Sequence, residues 1–123
     1  RDTDRSRGLG DVYKRQEETD PEKWGFILDV YWTQFGGRSP ARQIERLAGR
    51  IDVIHFKDMK MHGHEHRFAA VMDGNLDFDA ILEACAETGI HYAMIEQDDC
   101  YDRDPFDELA LSAKNLLAAN CSF

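Results

Sequence analysis

Apolar residues cluster in three short runs from residue 24 onward, and polar or glycine-rich stretches separate these runs. Each run has the length and the near-continuous hydrophobicity of a buried strand. Between the first two, the stretch 31–38 is predicted to be a loop, because Gly36 and Gly37 break regular structure. A second, long loop is predicted from residue 58 to about residue 75. The three predicted strands are 24–30 (WGFILDV), 51–57 (IDVIHFK) and 91–97 (HYAMIEQ).

Three helices are predicted from start and stop signals and from apolar positions at helical spacing. Ser39 and Pro40 begin the first helix and Gly49 ends it. Gly89 ends the second helix, and Asp104 caps the third. Their apolar stripes are Ala41, Ile44, Leu47 and Ala48; Phe78, Ile81, Leu82 and Cys85; and Phe106, Leu109, Ala110, Ala113, Leu116 and Leu117.

The element order β-α-β-α-β-α predicts an α/β fold with a parallel sheet and right-handed crossovers. The strand ends at Asp29, His55 and Glu96 are 26 and 41 residues apart. These spacings bracket the roughly 31 residues per unit of a (β/α)8 barrel, although three units cannot close one. The pattern therefore predicts either a small open sheet or the C-terminal portion, about three βα units, of a (β/α)8 TIM barrel.

The charge and composition of the chain narrow its range of partners. The 15 basic and 24 acidic residues give a formal net charge of −9, which repels phosphate backbones and disfavours a nucleic-acid partner. No apolar run approaches the ~18–20 residues that span a bilayer, so no membrane contact is predicted. The three cysteines are scattered and form no CxxC pair, which is typical of a protein of the reducing cytoplasm.

Residues 1–16 differ in character from the rest of the chain. They carry five basic and three acidic residues, a net charge of +2, whereas residues 17–123 have a net charge of −11. The first residue is Arg1 rather than Met, which indicates a processed or truncated sequence. We interpret 1–16 as a disordered arm or as foreign sequence joined to the chain, and 17–123 as the folded part.

Three hydrophilic residues stand at or next to the carboxyl ends of the predicted strands: Asp29, His55 and Glu96. Active sites of α/β folds are built at that edge. Because strand side chains alternate between faces, all three can point away from the helix-covered side, which their apolar neighbours suit. Carboxylate and imidazole together are ligands for Mn²⁺, Co²⁺, Fe²⁺ or Zn²⁺, and an all-oxygen Mg²⁺ site fits less well. The pattern favours a divalent metal site at this rim.

Each of these residues also has a purely structural interpretation. Asp29 alone can cap the following turn, His55 alone can be a hydrogen-bonded core histidine, and Glu96 opens a solvated acidic cluster, EQDD. Convergence of the three at one edge is what favours the metal site. A separate tract, MHGHEHR at 61–67, holds three further histidines, but no predicted strand fixes their geometry and a metal role there is disfavoured.

A family resemblance rests on four segments in a fixed order: LDVYW; GRIDVIHFKDM; DGNLDFDAILEACAETGI; and IEQDDC with DPFDELALSAKNL. Over roughly residues 17–119 the chain resembles the last part of the sugar phosphate isomerase/epimerase family, which has the xylose isomerase-like (β/α)8 barrel. The resemblance implies a divalent metal, Mn²⁺ first, held by two Glu, one Asp and one His. Asp29, His55 and Glu96 match three of these ligands, and the first Glu would lie on an earlier strand.

The resemblance also implies a chemistry: proton transfer next to the carbonyl of a sugar or keto-sugar through an enediolate-like intermediate, with Glu96 as one of two acid/base groups. Trp32 is a candidate apolar wall for the sugar, or a packing aromatic. Lys57 is a candidate for a hydrogen bond to substrate, although pairing with Asp58 is favoured. Arg103 is a candidate for contact with an anionic substrate group, although a surface salt bridge is favoured.

Two departures from the family pattern bear on these expectations. Barrel endonucleases that act on abasic DNA share the fold but need an Asp-x-His pair where this chain has His64, Glu65 and His66, which disfavours a nuclease. Relatives often have a Gly-acidic-Gly turn where this chain has Met72, Asp73 and Gly74. The loop at Met72 is therefore expected to follow another path.

The sequence thus predicts part of a metal-dependent sugar isomerase or epimerase, with a small-molecule sugar as substrate and an incomplete site in the 123-residue chain alone. Two alternatives stay open. One is a lyase or hydrolase of oxidised sugars that uses the same metal site. The other is a non-catalytic half-barrel module completed by a partner chain, and its unpaired strand edges would make a homo-oligomer the expectation.

Overall fold

The computed structural model describes residue 20, residues 22–23 and residues 25–123. The predicted arm or foreign segment, 1–16, lies outside the described residues. In chain order the elements are β1 (Phe26–Asp29), α1 (Val30–Phe35), α2 (Pro40–Arg46), β2 (Ile51–Phe56), β3 (Asp58–His62), β4 (Glu65–Ala69), α3 (Phe78–Thr88), β5 (Ala93–Ile95) and α4 (Pro105–Ala118).

The central feature is a parallel three-stranded sheet in the order β1-β2-β5. Its register places Asp29 beside His55, and His55 beside Met94. The backbone N–H of Glu96 donates to the carbonyl oxygen of Phe56 at 3.0 Å, which extends the β2–β5 pairing beyond the last strand residue. The carboxyl ends of all three strands therefore meet at one edge, as the element order predicted.

One face of this sheet is buried under helices and the other is open. Leu28, Ile54 and Phe56 lie in the core with residues of α2 and α3. On the opposite face Ile27 is 68% exposed and Met94 is 56% exposed. This alternation follows the predicted assignment of the two faces on β1 and β2.

The helix boundaries follow the predicted capping residues, except that α2 ends at Arg46, before Gly49. Ser39 Oγ accepts the N–H of Arg42 at 3.4 Å at the start of α2. At α4, Asp104 Oδ1 accepts the N–H of Phe106 at 2.8 Å. Gly89 ends α3 with a left-handed φ of 75°, a conformation that glycine adopts without strain. Within the described part of the chain, no helix combines the length and apolar character needed to cross a bilayer.

Two predicted loops are wrong in part. The stretch 31–38 begins as helix α1, because Asp29 caps it and because Val30 and Tyr31 are buried in the core. The stretch after β2 is an antiparallel hairpin of β3 and β4 that turns at Gly63, where φ is 61°. Cross-strand pairing and the left-handed turn form this hairpin. Because it contains no continuous run of apolar residues, the hydrophobic pattern of the sequence did not predict it.

The predicted apolar stripe of α4 is also wrong in part. The helix buries Glu108, Ser112 and Leu116, whereas Phe106 is 80% exposed and Leu109 and Leu117 are more than half exposed. Ser112 Oγ accepts the N–H of Val71 at 2.9 Å, so the helix meets the loop after β4 through a polar contact. The exposed apolar side chains face away from the described part of the chain.

Candidate metal centre

Asp29 contributes its two carboxylate oxygens to different tasks. Oδ1 accepts the N–H of Tyr31 at 2.9 Å and that of Trp32 at 3.2 Å, which caps α1. Oδ2 points across the sheet edge to 4.0 Å from His55 Nδ1. The interpretation of Asp29 as a cap is confirmed, and the cap leaves Oδ2 directed toward the site, where its metal-ligand role stays a prediction.

The structure brings Asp29, His55 and Glu96 together at the carboxyl edge of the sheet. One ligand atom from each lies within 4.8 Å of the others. His55 Nδ1 is 3.2 Å from Glu96 Oε2. All three side chains are partly accessible, so an ion could reach them. Among the described residues these three form the only such group of histidine, cysteine or acidic side chains.

Lys57, a predicted candidate for a hydrogen bond to substrate, makes ion pairs with this group that were not predicted. Its Nζ lies 3.1 Å from Asp29 Oδ2, 3.2 Å from Glu96 Oε2 and 2.8 Å from Asp98 Oδ1. Its side chain is only 3% exposed. Burial opposes its protonation, but contact with Asp98, Asp29 and Glu96 outweighs burial and raises the pKa of Lys57 above its ordinary value. The residue is therefore a charged lysine held in a buried ion-pair network.

The predicted pairing of Lys57 with Asp58 is wrong, because successive residues of an extended segment point to opposite faces. Asp58 is fully buried on the other side and accepts four backbone N–H groups. The donors are Met59 at 2.7 Å, Met72 at 2.9 Å, Gly74 at 3.1 Å and Leu76 at 3.1 Å. Asp58 thus anchors the loop that joins β4 to α3.

This anchored loop contains the Met72-Asp73-Gly74 turn. Met72 has a φ of 66°, so the backbone keeps a left-handed conformation although a side chain is present there. A Cβ at Gly74 would overlap the carbonyl oxygen of Met59 and the carboxylate of Asp58. Gly74 therefore lies in close contact with Asp58, and the departure of the loop from the path in relatives stays a prediction.

An aromatic cluster stands beside the acidic group. The Trp32 ring packs edge-on against Tyr31 at 4.8 Å and Phe35 at 5.4 Å between centroids. Phe68 stacks on Tyr31 at 4.6 Å, and its ring lies 5.8 Å from Lys57 Nζ. Trp32 packs within this aromatic cluster, and the Phe68 ring lies against the ammonium of Lys57. Burial raises the pKa of Tyr31 above its ordinary value.

Arg103 forms the salt bridge that the sequence favoured over a substrate contact. Its Nη1 lies 2.9 Å from Oε1 of Glu108, which is buried on α4, and 3.9 Å from Asp73 Oδ2. Glu108 Oε2 also accepts from Gln97 Nε2 at 3.3 Å. Arg103 therefore ties the loop after β5 to α4.

The histidine tract 61–67 lies on the β3–β4 hairpin. His62 pairs across the hairpin with Glu65, and His66 pairs with Met61. Since cross-strand partners share a face, His62 and His66 point to opposite faces of the hairpin. The hairpin geometry therefore separates these histidines.

The donors at the sheet edge fit a divalent ion in kind. Two carboxylate oxygens and one imidazole nitrogen make a mixed set that suits Mn²⁺, Co²⁺, Fe²⁺ or Zn²⁺. The helix cap at Asp29 and the sheet register at His55 fix two of the three side chains. The ammonium of Lys57 lies against the same two carboxylate oxygens. This geometry suits a divalent ion. The roles of the three residues as metal ligands stay a prediction.

Side-chain parity would have placed two further residues at the site. Lys57 is two positions after His55, and Asp98 is two positions after Glu96. Extended chain therefore directs each to the same face as its predicted ligand. The contribution of Phe68 could not be found this way, because it depends on the hairpin.

Two solved structures resemble this chain. Both are described as sugar phosphate isomerase/epimerase from Parabacteroides distasonis ATCC 8503. One is 31% identical with a TM-score of 0.69, and the match covers 85% of this chain and 34% of that chain. The other is 29% identical with a TM-score of 0.70, covering 86% and 36%. This chain has the sugar phosphate isomerase/epimerase fold. The predicted family resemblance and the predicted fold class, about three βα units of a xylose isomerase-like barrel, are confirmed.

A curated protein with this likeness is named inosose dehydratase, from Lacticaseibacillus casei. It is 32% identical over 118 aligned residues, which cover 82% of this chain and 39% of that protein. The protein of the same name from strain BL23 matches with the same figures. No family model matches the sequence. The chain spans between 34% and 39% of the length of these relatives.

Proposed function

We propose that the protein carrying this chain is a metal-dependent isomerase or epimerase of a sugar or keto-sugar. Asp29, His55 and Glu96 would be three of its metal ligands, with Mn²⁺ the preferred ion. The observation that carries the proposal is the convergence of one ligand atom from each residue within 4.8 Å at the carboxyl edge of a parallel sheet. The likeness to proteins described as sugar phosphate isomerase/epimerase supports it.

The proposed chemistry is proton transfer next to a carbonyl group. A bound divalent ion supplies positive charge that polarises the carbonyl oxygen and makes the neighbouring C–H more acidic. Glu96 would take that proton. Its Oε2 faces His55 and Lys57, both at 3.2 Å, which leaves Oε1 for the proton. In an epimerase, a second carboxylate on an earlier strand would return a proton to the opposite face of the carbon.

Phe68 and Trp32 would form the apolar side of the sugar site, and the buried ring of Tyr31 would support them from the core. Their rings form one cluster, and the Phe68 ring lies close to the ion-pair network. Aromatic faces suit the C–H-rich face of a sugar, whereas the acidic edge suits its oxygens through the ion. The proposed partner is accordingly a small sugar, and neither nucleic acid nor a membrane is part of the proposal.

Proton exchange in D₂O tests the proposal. The native gene product that carries this chain would be loaded with Mn²⁺ and incubated with a panel of ketoses, and the proton next to the carbonyl followed by NMR. We expect exchange with at least one ketose, and Glu96→Gln should slow it by at least roughly a hundredfold. Glu83→Gln, on the exposed face of α3, is the matched control. Equal exchange in wild type and Glu96→Gln would contradict the proposal.

The 123-residue chain alone should give no turnover in this assay. It supplies three of the four metal ligands and one of the two acid/base groups that the resemblance implies. Clear isomerisation of a ketose by the purified chain with Mn²⁺ would show that this set of residues is sufficient, and would overturn the expectation.

A second candidate is a lyase that removes water from a keto-sugar. The likeness to a protein named inosose dehydratase favours it. Elimination and isomerisation both begin with removal of a proton next to a carbonyl, so proton exchange does not separate them. Mass spectrometry of the product does: an isomer or epimer keeps the mass of the substrate, whereas a dehydrated product is lighter by one water.

A further inference from the structure

The ammonium of Lys57 contacts the same carboxylate oxygens that a metal ion at this site would bind. It contacts Asp29 Oδ2 at 3.1 Å and Glu96 Oε2 at 3.2 Å. Asp29 Oδ1 already accepts two backbone N–H groups of α1, so Oδ2 is the oxygen that Asp29 offers to any cation. An ion on these oxygens and the ammonium on the same oxygens would therefore share acceptors.

Lys57 also balances the charge of the site. Three carboxylates, those of Asp29, Glu96 and Asp98, lie within 3.2 Å of one buried Nζ. Carboxylates held this close to one another repel unless a cation lies between them. In the absence of a divalent ion, Lys57 is the group that holds the ligand oxygens together.

Asp98 gives the ammonium an ion-pair partner outside the triad. The shortest of the three contacts, 2.8 Å, is the one to Asp98 Oδ1. Asp98 is not a member of the triad and is the most exposed of the three carboxylates. An ion bound by the triad would repel the ammonium, and the Asp98 contact lets Lys57 remain paired at the rim.

We propose that Lys57 is a positioning residue that preassembles the ligand oxygens of Asp29 and Glu96 and competes with a divalent ion for them, retreating to Asp98 when the ion binds. This inference rests on the proposed metal site. The Lys57 side chain then stabilises the metal-free protein and weakens the binding of the ion. Removing the ammonium lowers the stability of the metal-free protein and raises the affinity for the ion.

The test is Mn²⁺ binding by isothermal titration calorimetry, together with thermal unfolding with and without Mn²⁺. Lys57→Met keeps most of the apolar stem and removes the charge. We expect it to bind Mn²⁺ at least tenfold more tightly than wild type, to unfold at a lower temperature without metal, and to gain more in unfolding temperature on adding Mn²⁺. Lys60→Met, on β3, is the matched control and should leave Mn²⁺ affinity unchanged.

A second pair of variants keeps the inference testable if Lys57→Met fails to fold. Asp98→Asn removes the negative charge to which the ammonium retreats, and should weaken Mn²⁺ binding severalfold. Asp102→Asn makes the same change in net charge at an exposed position on the same loop and should not weaken it. Equal effects of Asp98→Asn and Asp102→Asn would contradict the role of Asp98.

The outcomes separate this inference from the proposed function. If Mn²⁺ binds wild type and Lys57→Met binds it no more tightly, competition by Lys57 is overturned and the metal site stands. If Mn²⁺ binds neither protein, the proposed metal site fails and the inference fails with it. Tight binding by Lys57→Met, with weak binding by wild type, would establish the competition directly.

Discussion

Single carboxylates in this protein carry out several tasks through separate oxygens. Asp29 uses Oδ1 for a helix cap and directs Oδ2 to the sheet edge. Asp58 uses both oxygens to accept four N–H groups from a loop. In both cases backbone hydrogen bonds fix the carboxylate before any ligand is present, and such pre-positioned groups lose less entropy on binding.

Replacing Asp58 with Asn tests its role as a loop anchor. The amide offers one oxygen and puts an N–H₂ group against two backbone N–H donors, so two buried donors lose their acceptor. We expect Asp58→Asn to lower the free energy of unfolding by about 2–4 kcal/mol, measured by urea denaturation.

Asp73→Asn is the control for this prediction, since Asp73 lies in the same loop but is exposed. Its change in unfolding free energy should stay within about 0.5 kcal/mol. Similar losses in the two variants would show that Asp58 does not anchor the loop more than any acidic residue there.

At the residue scale, the sequence alone predicted the three members of the triad but did not predict the contacts of the residues around them. Strand ends and alternation identified Asp29, His55 and Glu96, which the structure brings together. The network around Lys57 was not predicted, although Lys57 and Asp98 each follow a predicted ligand by two positions and parity directs them to the same face. The local pairing of Lys57 with Asp58 was favoured because the residues are adjacent, although their side chains point to opposite faces.

Helix caps are the local signals that the structure reproduces most closely. The predicted caps Ser39 and Asp104 each accept a backbone N–H in the first turn of the helix that follows, as Asp77, which was not predicted, does for α3. For α4 this cap matters more than for a fully packed helix, because much of its apolar side is exposed. Local capping energy therefore replaces part of the packing energy that usually holds a helix.

Removing the cap of α4 should have a measurable cost. Asp104→Ala loses the acceptor for the N–H groups of Phe106 and Asp107, and we expect a loss of about 1 kcal/mol in unfolding free energy. Asp102→Ala, two residues earlier and exposed, serves as the control. Circular dichroism during urea unfolding measures both, and an equal loss in the two variants would argue against the cap.

The buried face of α3 carries a pH-dependent group. Burial raises the pKa of the Cys85 thiol from 9.0 to about 11. The folded state therefore keeps the proton in a range where the unfolded state releases it, so the stability present below pH 9 is lost as the pH rises from 9 to 11. Two pH units correspond to about 2–3 kcal/mol.

Urea unfolding at pH 8.5 and pH 10.5 measures this effect. Wild type should lose more stability over the interval than Cys85→Ala, which lacks the thiol. Cys100→Ala, which removes a less buried thiol, should keep most of the wild-type loss. A pH dependence that is the same in wild type and Cys85→Ala would refute the assignment.

At the element scale, apolar runs and caps predicted the three parallel strands and the three longer helices. Two elements were not predicted, because their formation does not depend on such runs. The short helix α1 exists because Asp29 caps it, and the hairpin of β3 and β4 exists because of cross-strand pairing around Gly63. Both border the candidate site, so the missed elements are the ones that shape its walls.

At the scale of the whole molecule, the described residues include two groups of exposed apolar side chains that bear on association. Ile27 and Met94 lie on the open face of the sheet, and Phe106, Leu109 and Leu117 lie on α4. Scattered apolar residues are normal on a protein surface, but grouped ones mark surfaces that contact other protein. The open face of the sheet would be the inner face of a (β/α)8 barrel, in which side chains fill the interior.

These surfaces predict self-association of the 123-residue chain. We expect light scattering after size-exclusion chromatography to give a dimer or larger species, whose fraction increases with protein concentration. Met94→Lys on the open face should shift the chain toward monomer, and Lys114→Met on an exposed part of α4 should not. A monodisperse monomer at all concentrations would count against both a homo-oligomer and a module completed by a partner.

The central claim is that Asp29, His55 and Glu96 hold a divalent ion at the carboxyl edge of the sheet. Anomalous scattering from crystals of the protein soaked in Mn²⁺ tests it most directly. The account predicts an anomalous peak between Asp29 Oδ2, Glu96 Oε2 and the imidazole of His55, absent in His55→Ala crystals. A peak only at the histidines of the β3–β4 hairpin, or none near the triad, would contradict it.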